Sequence, residues 1–197
     1  MGSDKALEPL AGQPLIAHGL SILRQAGLAT SIAGARSPLA NFAPVVEDSQ
    51  PGLGPLGGIC AAIASTSACQ AVFLPVDLPL LPASLIAFLL HHARITDAAV
   101  TLCSVSGFTQ TFPAVVSRTA LSVLQGELEA GRRGCFSAFQ AASTRLGQPL
   151  SVLPVELLAQ SGHVSHPGGL PPFRWFLNVN DSEDLRRART FVPTPVG

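Results

Sequence analysis

One carboxylate stands where a strand is predicted to end. Asp77 follows the apolar residues 73–76 and precedes the apolar residues 78–80. In an open α/β sheet, ligands bind beyond the carboxyl ends of the strands, so Asp77 is placed to meet one. A single oxygen ligand there suits Mg²⁺, which proteins hold with one or two carboxylates together with substrate phosphates. A helix N-cap or a buried, hydrogen-bonded aspartate would explain the same pattern, and the residue alone leaves these alternatives open.

A second feature is the glycine-rich segment Gly54-Pro55-Leu56-Gly57-Gly58. Glycines remove the side chains that would keep backbone N–H groups away from a nucleotide, so a loop at this place could cradle phosphates. A purely structural turn is the alternative. The segment matches neither the P-loop pattern nor the dinucleotide-binding G-x-G-x-x-G pattern.

The basic residues give weaker signals. Lys5 is a compact point charge that would serve a phosphate, although a surface lysine is the simpler interpretation. Arg132 and Arg133 follow a predicted helix end and could attract a phosphate, but a helix C-terminus favours positive charge in any case. None of the five histidines shows metal-ligand spacing with a nearby acid, so solvated or helix-capping roles are expected for them.

These residues need a scaffold, and the apolar periodicity alternates between strands and helices. We predict strands at residues 30–33, 45–46, 71–76, 98–104, 112–116, 150–155 and 175–179, and helices at 14–26, 59–65, 82–92, 120–130, 136–142 and from about 182. The strand at 71–76 reads as a central parallel strand covered on both faces. Asp181 is positioned to cap the last helix. The alternation predicts a three-layer α/β fold with a mostly parallel sheet.

Length and composition limit the function classes. The 197 residues suit one domain, predicted to span 1–197, and 47% hydrophobic with 12% charged residues excludes intrinsic disorder. Twelve basic and twelve acidic residues create no global field for a nucleic acid. Prolines and Asp77 interrupt the longest apolar stretch, and the N-terminus has no signal peptide, so we expect a cytoplasmic protein without a membrane span. The four cysteines lack a C-x-x-C pair and are expected to be buried free thiols.

The order of the motifs resembles one family. The matching pieces are Met1-Gly2-Ser3-Asp4-Lys5-Ala6-Leu7, Gly12-Gln13-Pro14-Leu15, Val46-Glu47-Asp48-Ser49, Gly54-Pro55-Leu56-Gly57-Gly58, Pro75-Val76-Asp77-Leu78-Pro79 and Asn178-Val179-Asn180. Together they look like the molybdenum cofactor guanylyltransferases, nucleotidyltransferases with a Rossmann-like α/β sheet. The resemblance runs over nearly the whole chain. It implies transfer of GMP from GTP to Mo-molybdopterin, with release of pyrophosphate and with Mg²⁺ as cofactor.

The resemblance also implies residue roles. Lys5 would contact the triphosphate and Asp48 would hold the nucleotide near its sugar or base. Gly57 would belong to the nucleotide-binding loop. Asp77 would bind Mg²⁺ and align the α-phosphate. No side-chain nucleophile is required, because the terminal phosphate of molybdopterin would attack the α-phosphorus directly.

Later parts of the chain receive less definite roles from the resemblance. Asn178 and Asn180 match the family's N-x-N element near the site, and Asn180 is expected to join Asp77 in holding the metal. Contacts to the pterin are expected around Arg132 and residues 162–172. The expected partners are GTP, the molybdopterin cofactor and molybdoenzyme-maturation proteins.

Two departures from the family pattern stand out. The family's first strand and its L-A-G-G-x-S-x-R loop precede the segment that begins here at Met1, so a strand inside the sheet is expected to be missing. A start assigned at an internal methionine and a degenerate relative are the two explanations. Ala33 replaces an asparagine that often contacts the nucleotide. Alternatives to the guanylyltransferase are a cytidylyl- or sugar-phosphate nucleotidyltransferase and a non-catalytic nucleotide-binding relative.

Overall fold

The computed structural model describes residues 5–34, 36–47 and 52–192. Its strands are β1 (Pro9–Leu10), β2 (Gln13–Pro14), β3 (Ile32–Ala33), β4 (Val45–Val46), β5 (Gln70–Phe73), β6 (Val100–Val105), β7 (Phe108–Ser117) and β8 (Leu150–Pro154). Its α-helices are α1 (Leu15–Gln25), α2 (Arg36–Leu39), α3 (Gly54–Ala64), α4 (Ala83–Thr96), α5 (Leu121–Glu129), α6 (Cys135–Leu146), α7 (Val155–Gln160), α8 (Pro172–Trp175) and α9 (Ser182–Arg189). Lys5–Leu7 and Arg118–Ala120 form 3₁₀ turns.

The main sheet has four strands in the order β5-β7-β6-β8. Strand β7 pairs antiparallel with both β5 and β6, whereas β6 and β8 pair in parallel. Strands β5, β6 and β8 therefore point the same way, with one antiparallel strand among them. The expected mostly parallel sheet is thus a mixed sheet, because β6 and β7 form a hairpin that turns at residues 106–107.

Helices cover the main sheet on both faces, which confirms the three-layer α/β fold. On one face, α3, α5 and α6 pack on Val100, Leu102 and Val116. On the other face, α1, α4 and Trp175 pack around Cys103 and Val115. Neighbouring residues of one strand thus enter different cores, as the period of two in a β-strand requires.

Strands β3 and β4 form a separate parallel pair. Within the described residues, no strand pairing joins this pair to the main sheet. A cavity of about 280 Å³ lies between this strand pair and the main sheet, and its walls include Ile16, Ile32, Ala62 and Val72. This cavity separates β3 from β5.

Three local predictions are wrong. The predicted central parallel strand at 71–76 is β5, which pairs on one side with antiparallel β7 and has no other strand partner in the described part of the chain. The glycine-rich segment is not a loop but the start of α3, because Pro55 fits the first helical turn and burial outweighs the low helix propensity of Gly57 and Gly58. The predicted strand at 175–179 is absent, since Pro171 and Pro172 start the short helix α8 instead.

The remaining strands and helices were predicted to within a few residues, although β1, β2, α2 and α7 were not predicted. In the described ranges, no helix combines the length and the apolar character that a membrane span needs. The four cysteines are free thiols, but Cys69 is exposed, so the expectation that all are buried is wrong.

Candidate active site

Lys5 and Asp77 come together from distant parts of the sequence. Asp77 lies in the turn after β5, and its side chain is 25% exposed. Lys5 starts a 3₁₀ turn that is anchored by the buried Ala6, which packs in one cluster with Val76. The Lys5 ammonium lies 3.5 Å from Oδ2 of Asp77, so the two opposite charges meet at a partly solvated edge of the sheet.

The segment 178–180 completes the group. Asn180 Oδ1 accepts a hydrogen bond from Lys5 Nζ at 3.0 Å. Asn178 presents its amide Nδ2 to Asp77, 2.8 Å from Oδ2 and 3.3 Å from the main-chain oxygen, which is the orientation in which the amide donates to acceptors. Between them, Val179 is buried and its N–H donates to the Asp77 carbonyl at 2.9 Å. The segment therefore fixes Asp77 through both its side chain and its backbone.

The capped start of α9 holds this segment in place. The Asp181 carboxylate accepts hydrogen bonds from the N–H groups of Asp184 and Glu183, as predicted for an N-cap. These backbone hydrogen bonds lower the pKa of Asp181, so the cap remains ionised at neutral pH. Asn180 N–H donates in turn to the Asp184 carboxylate at 3.0 Å. The helix thus orients the chain that enters it.

The oxygen atoms of Asp77 and Asn180 suit a hard cation whose remaining coordination positions are filled by a bound ligand. Within the described residues, no group of three histidine, cysteine or acidic side chains could enclose a metal ion. Asp77 and Asn180 offer oxygen atoms, and Lys5 offers a positive charge beside them. Mg²⁺ prefers oxygen ligands and is commonly bound through one or two carboxylates together with substrate phosphates, so this open set fits it. A cavity of about 310 Å³, lined by Lys5, Asn180 and Ser182 among others, opens next to the group.

Other predicted residues lie elsewhere. Gly57 is buried in α3 and lines a different cavity of about 540 Å³, together with Glu47. Asp48 lies outside the described residues.

The Arg132 guanidinium forms two hydrogen bonds with the nearly buried carboxylate of Glu127. These bonds raise the pKa of Arg132, whose guanidinium stabilises the turn after α5. Ala33 ends β3 and is exposed.

The loop of residues 162–172 packs back onto the protein. Val164 is buried in the same core as Trp175, and the His166 ring stacks against the Trp175 indole with 6.3 Å between ring centroids. Burial lowers the pKa of His166, so its imidazole is neutral at neutral pH. The predicted contacts of this loop with a pterin remain a prediction.

Sequence reasoning missed the contact between Asn178 and Asp77 and the backbone bond from Val179. A signal for both was present in the pattern Asn178-Val179-Asn180. In an extended segment, alternate side chains share one side and the residue between them faces the other. An apolar residue between two asparagines therefore indicates a segment that buries its middle residue and presents two amides together.

Comparisons with known proteins identify the family of the chain. The family described as "MobA-like NTP transferase domain" matches residues 1–163. The chain belongs to this nucleotidyltransferase family. A molybdenum cofactor guanylyltransferase of Xanthomonas euvesicatoria is 45% identical over 96 residues, which are 48% of this chain and 49% of that protein. A probable molybdenum cofactor guanylyltransferase of Haloferax mediterranei is 29% identical over 94% of this chain and 84% of its own length.

Solved structures of the nucleotidyltransferase fold resemble the chain over most of its length. Molybdopterin-guanine dinucleotide biosynthesis protein A of Archaeoglobus fulgidus superposes with a TM-score of 0.75 at 18% identity, covering 96% of this chain and 90% of that one. The 2-C-methyl-D-erythritol 4-phosphate cytidylyltransferase of Thermus thermophilus gives 0.67 at 15% identity, covering 94% and 92%. A Mycobacterium tuberculosis protein solved in complex with manganese gives 0.63 at 21% identity, covering 96% and 93%. At these identities, the similarity establishes the fold.

Proposed function

We propose that this nucleotidyltransferase transfers GMP from GTP to Mo-molybdopterin and releases pyrophosphate. The observation that carries the proposal is the meeting of Lys5, Asp77 and Asn180 after β5, within a chain of the MobA-like family. The relatives named molybdenum cofactor guanylyltransferase support the choice of GTP and of the molybdopterin acceptor.

The reaction needs positioned charge and not a protein nucleophile. An oxygen of the terminal phosphate of molybdopterin forms a bond to the α-phosphorus of GTP, and the bond from that phosphorus to the bridging oxygen of the β-phosphate breaks. Pyrophosphate leaves with the electron pair of that bond. Negative charge accumulates on phosphate oxygens during the transfer, so a nearby cation and a lysine lower the barrier.

The residues divide this work among them. Asp77 and Asn180 provide the oxygen atoms for Mg²⁺, which when bound neutralises charge on the phosphate oxygens. Lys5 is held by Asn180 at 3.0 Å and by Asp77 at 3.5 Å. Because the Lys5 side chain is 36% exposed and flexible, its ammonium can exchange these contacts for phosphate oxygens at little cost. That movement frees Oδ1 of Asn180 to act as a metal ligand.

Gly57 and Asp48 keep their proposed places in nucleotide binding. The first turn of α3 has no side-chain cap at Leu53, and the N-terminus of a helix favours anions. Asp48 stands two residues after the end of β4 in the sequence and is proposed to contact the sugar or base.

A transfer assay with labelled nucleotide tests the proposal. The chain is incubated with GTP labelled at the α-phosphate, Mg²⁺ and molybdopterin, and both the labelled dinucleotide and pyrophosphate are measured. We expect both products, with GTP outcompeting CTP. Preference for CTP would indicate a cytidylyltransferase, and nucleotide binding without pyrophosphate release would indicate a non-catalytic relative; either result contradicts the proposal.

A further inference from the structure

Asp77 is held more firmly by the segment 178–180 than by its charged neighbour. Asn178 Nδ2 lies 2.8 Å from Asp77 Oδ2, whereas the Lys5 ammonium lies 3.5 Å from the same oxygen. The Val179 N–H holds the main-chain carbonyl of Asp77 at 2.9 Å. Both restraints on Asp77 thus come from one short stretch of chain, which is itself fixed by the cap of α9.

The amide of Asn178 is chemically suited to this contact. A neutral donor at 2.8 Å orients a carboxylate but leaves its negative charge in place, whereas a second cation would compensate the charge that a metal ion needs. The amide binds Oδ2, and in the described part of the chain Oδ1 of Asp77 has no hydrogen-bond partner. One carboxylate oxygen is thus braced and the other is left open to the site.

We propose that Asn178 is a positioning residue that sets the rotamer of Asp77 so that its free oxygen faces the bound cation. The inference rests on the proposed function, because it assumes that Asp77 holds a divalent ion. Side-chain partners that orient a metal-binding carboxylate typically change metal affinity by about 10–100-fold when they are removed. Asn178 is therefore expected to act on metal affinity and not on the nucleotide directly.

The alternative is that Asn178 only stabilises the local fold. Its side chain is exposed, while the neighbouring Val179 is 3% exposed and supplies the packing of this stretch. Loss of the Asn178 amide should therefore leave the folded structure and the free energy of unfolding nearly unchanged, since exposed substitutions change stability by about 0.5 kcal/mol or less. A structural role and a positioning role thus predict different results.

The test measures how much a metal ion strengthens nucleotide binding, without any turnover. The dissociation constant of GTP is measured for the whole chain by calorimetry in Mn²⁺ and in EDTA, and the ratio of the two constants gives the metal-dependent gain. The variants are Asn178→Ala and Asn178→Leu, which both remove the donor while only leucine keeps the side-chain volume. Asp77→Ala is the reference. Asn41→Ala is the matched control, because Asn41 is exposed and is the only asparagine of the sequence outside this segment.

We expect both Asn178 variants to reduce the gain about tenfold. Affinity in EDTA and the melting temperature should match the wild type, and Asn41→Ala should behave as the wild type throughout. If Asp77→Ala loses the gain while both Asn178 variants keep it, the inference is overturned and the proposed metal role of Asp77 stands. If the wild type shows no gain, or Asp77→Ala keeps it, both proposals fail. If both Asn178 variants bind GTP more weakly even in EDTA and also melt at a lower temperature, Asn178 has a merely structural role and the inference is overturned.

Discussion

Trp175 anchors the chain just before the segment that reaches Asp77. Its side chain is 1% exposed, and its indole N–H donates to the Leu170 carbonyl at 2.7 Å. Replacement by phenylalanine removes about 40 Å² of buried apolar surface, which costs about 1 kcal/mol at ~25 cal/mol per Å². It also leaves the Leu170 carbonyl without its donor, at about 1–3 kcal/mol. The free energy of unfolding should therefore fall by about 2–4 kcal/mol.

Thermal unfolding followed by far-ultraviolet circular dichroism measures this change. At about 2–4 °C per kcal/mol for a domain of this size, the melting temperature of Trp175→Phe should fall by about 5–15 °C. Phe173→Ala is the control on the same short helix, because Phe173 is 57% exposed and its loss should change the melting temperature by less than about 2 °C. A Trp175→Phe protein with wild-type stability, or a control that is equally destabilised, would refute the anchoring role.

Three further outcomes follow from the structure. Hydrogen bonds from Arg132 lower the pKa of Glu127. Its carboxylate therefore stabilises the fold at pH values above the ordinary pKa of a glutamate, and this contribution is lost as the pH falls through the lowered pKa. Glu127→Gln should make the melting temperature depend less on pH below pH 5. Alternate N–H groups of β5 point toward β7, so the Ala71 N–H faces β7 while the Val72 N–H faces the cavity between β3 and β5. The Val72 amide should therefore exchange its hydrogen faster than the Ala71 amide in NMR measurements. Burial raises the pKa of Cys103 to about 12, so a thiol reagent at pH 8 should modify exposed Cys69 first.

Most of the longer helices and the two strands of the hairpin were predictable because their signals are local. Asp181 is the N-cap of helix α9. Helix α1 ends just before Gly27, whose positive φ suits a helix C-terminus. The strands β6 and β7 flank Gly107, whose positive φ suits the tight turn of a hairpin. In each case, neighbouring residues contain the information that determines the element.

The wrong predictions concern features that depend on distant partners. The apolar run that contains β5 reads as a central strand, but its edge position depends on which strands lie beside it. The glycines of α3 weaken a helix in isolation, and only burial against the sheet reveals that they are helical. The residues 175–179 contain β-forming side chains, yet the two preceding prolines and the packing of Trp175 produce a helical turn.

The candidate site was predictable as a set of residue types but not as a geometry. Asp77 was recognisable from its place after an apolar run, whereas Lys5 alone looked like any surface lysine. Their contact spans 72 positions of the sequence, and that of Lys5 with Asn180 spans 175. Such contacts depend on the packing of the whole domain, so only the folded structure shows that Asn178 and Asn180 hold different partners.

The most direct test of the account is the rate of nucleotide transfer after one change at Asp77. Asp77→Asn keeps the shape of the side chain and removes its charge. Asp97→Asn is the matched control, because Asp97 is exposed at the end of α4. Asparagine also tolerates the left-handed backbone conformation of residue 97. Loss of several kcal/mol of charge stabilisation corresponds to about a 100- to 1,000-fold lower rate with saturating Mg²⁺ and GTP. We predict that loss for Asp77→Asn and a rate within about twofold of the wild type for the control. A wild-type rate of transfer by Asp77→Asn would contradict the central role of this carboxylate.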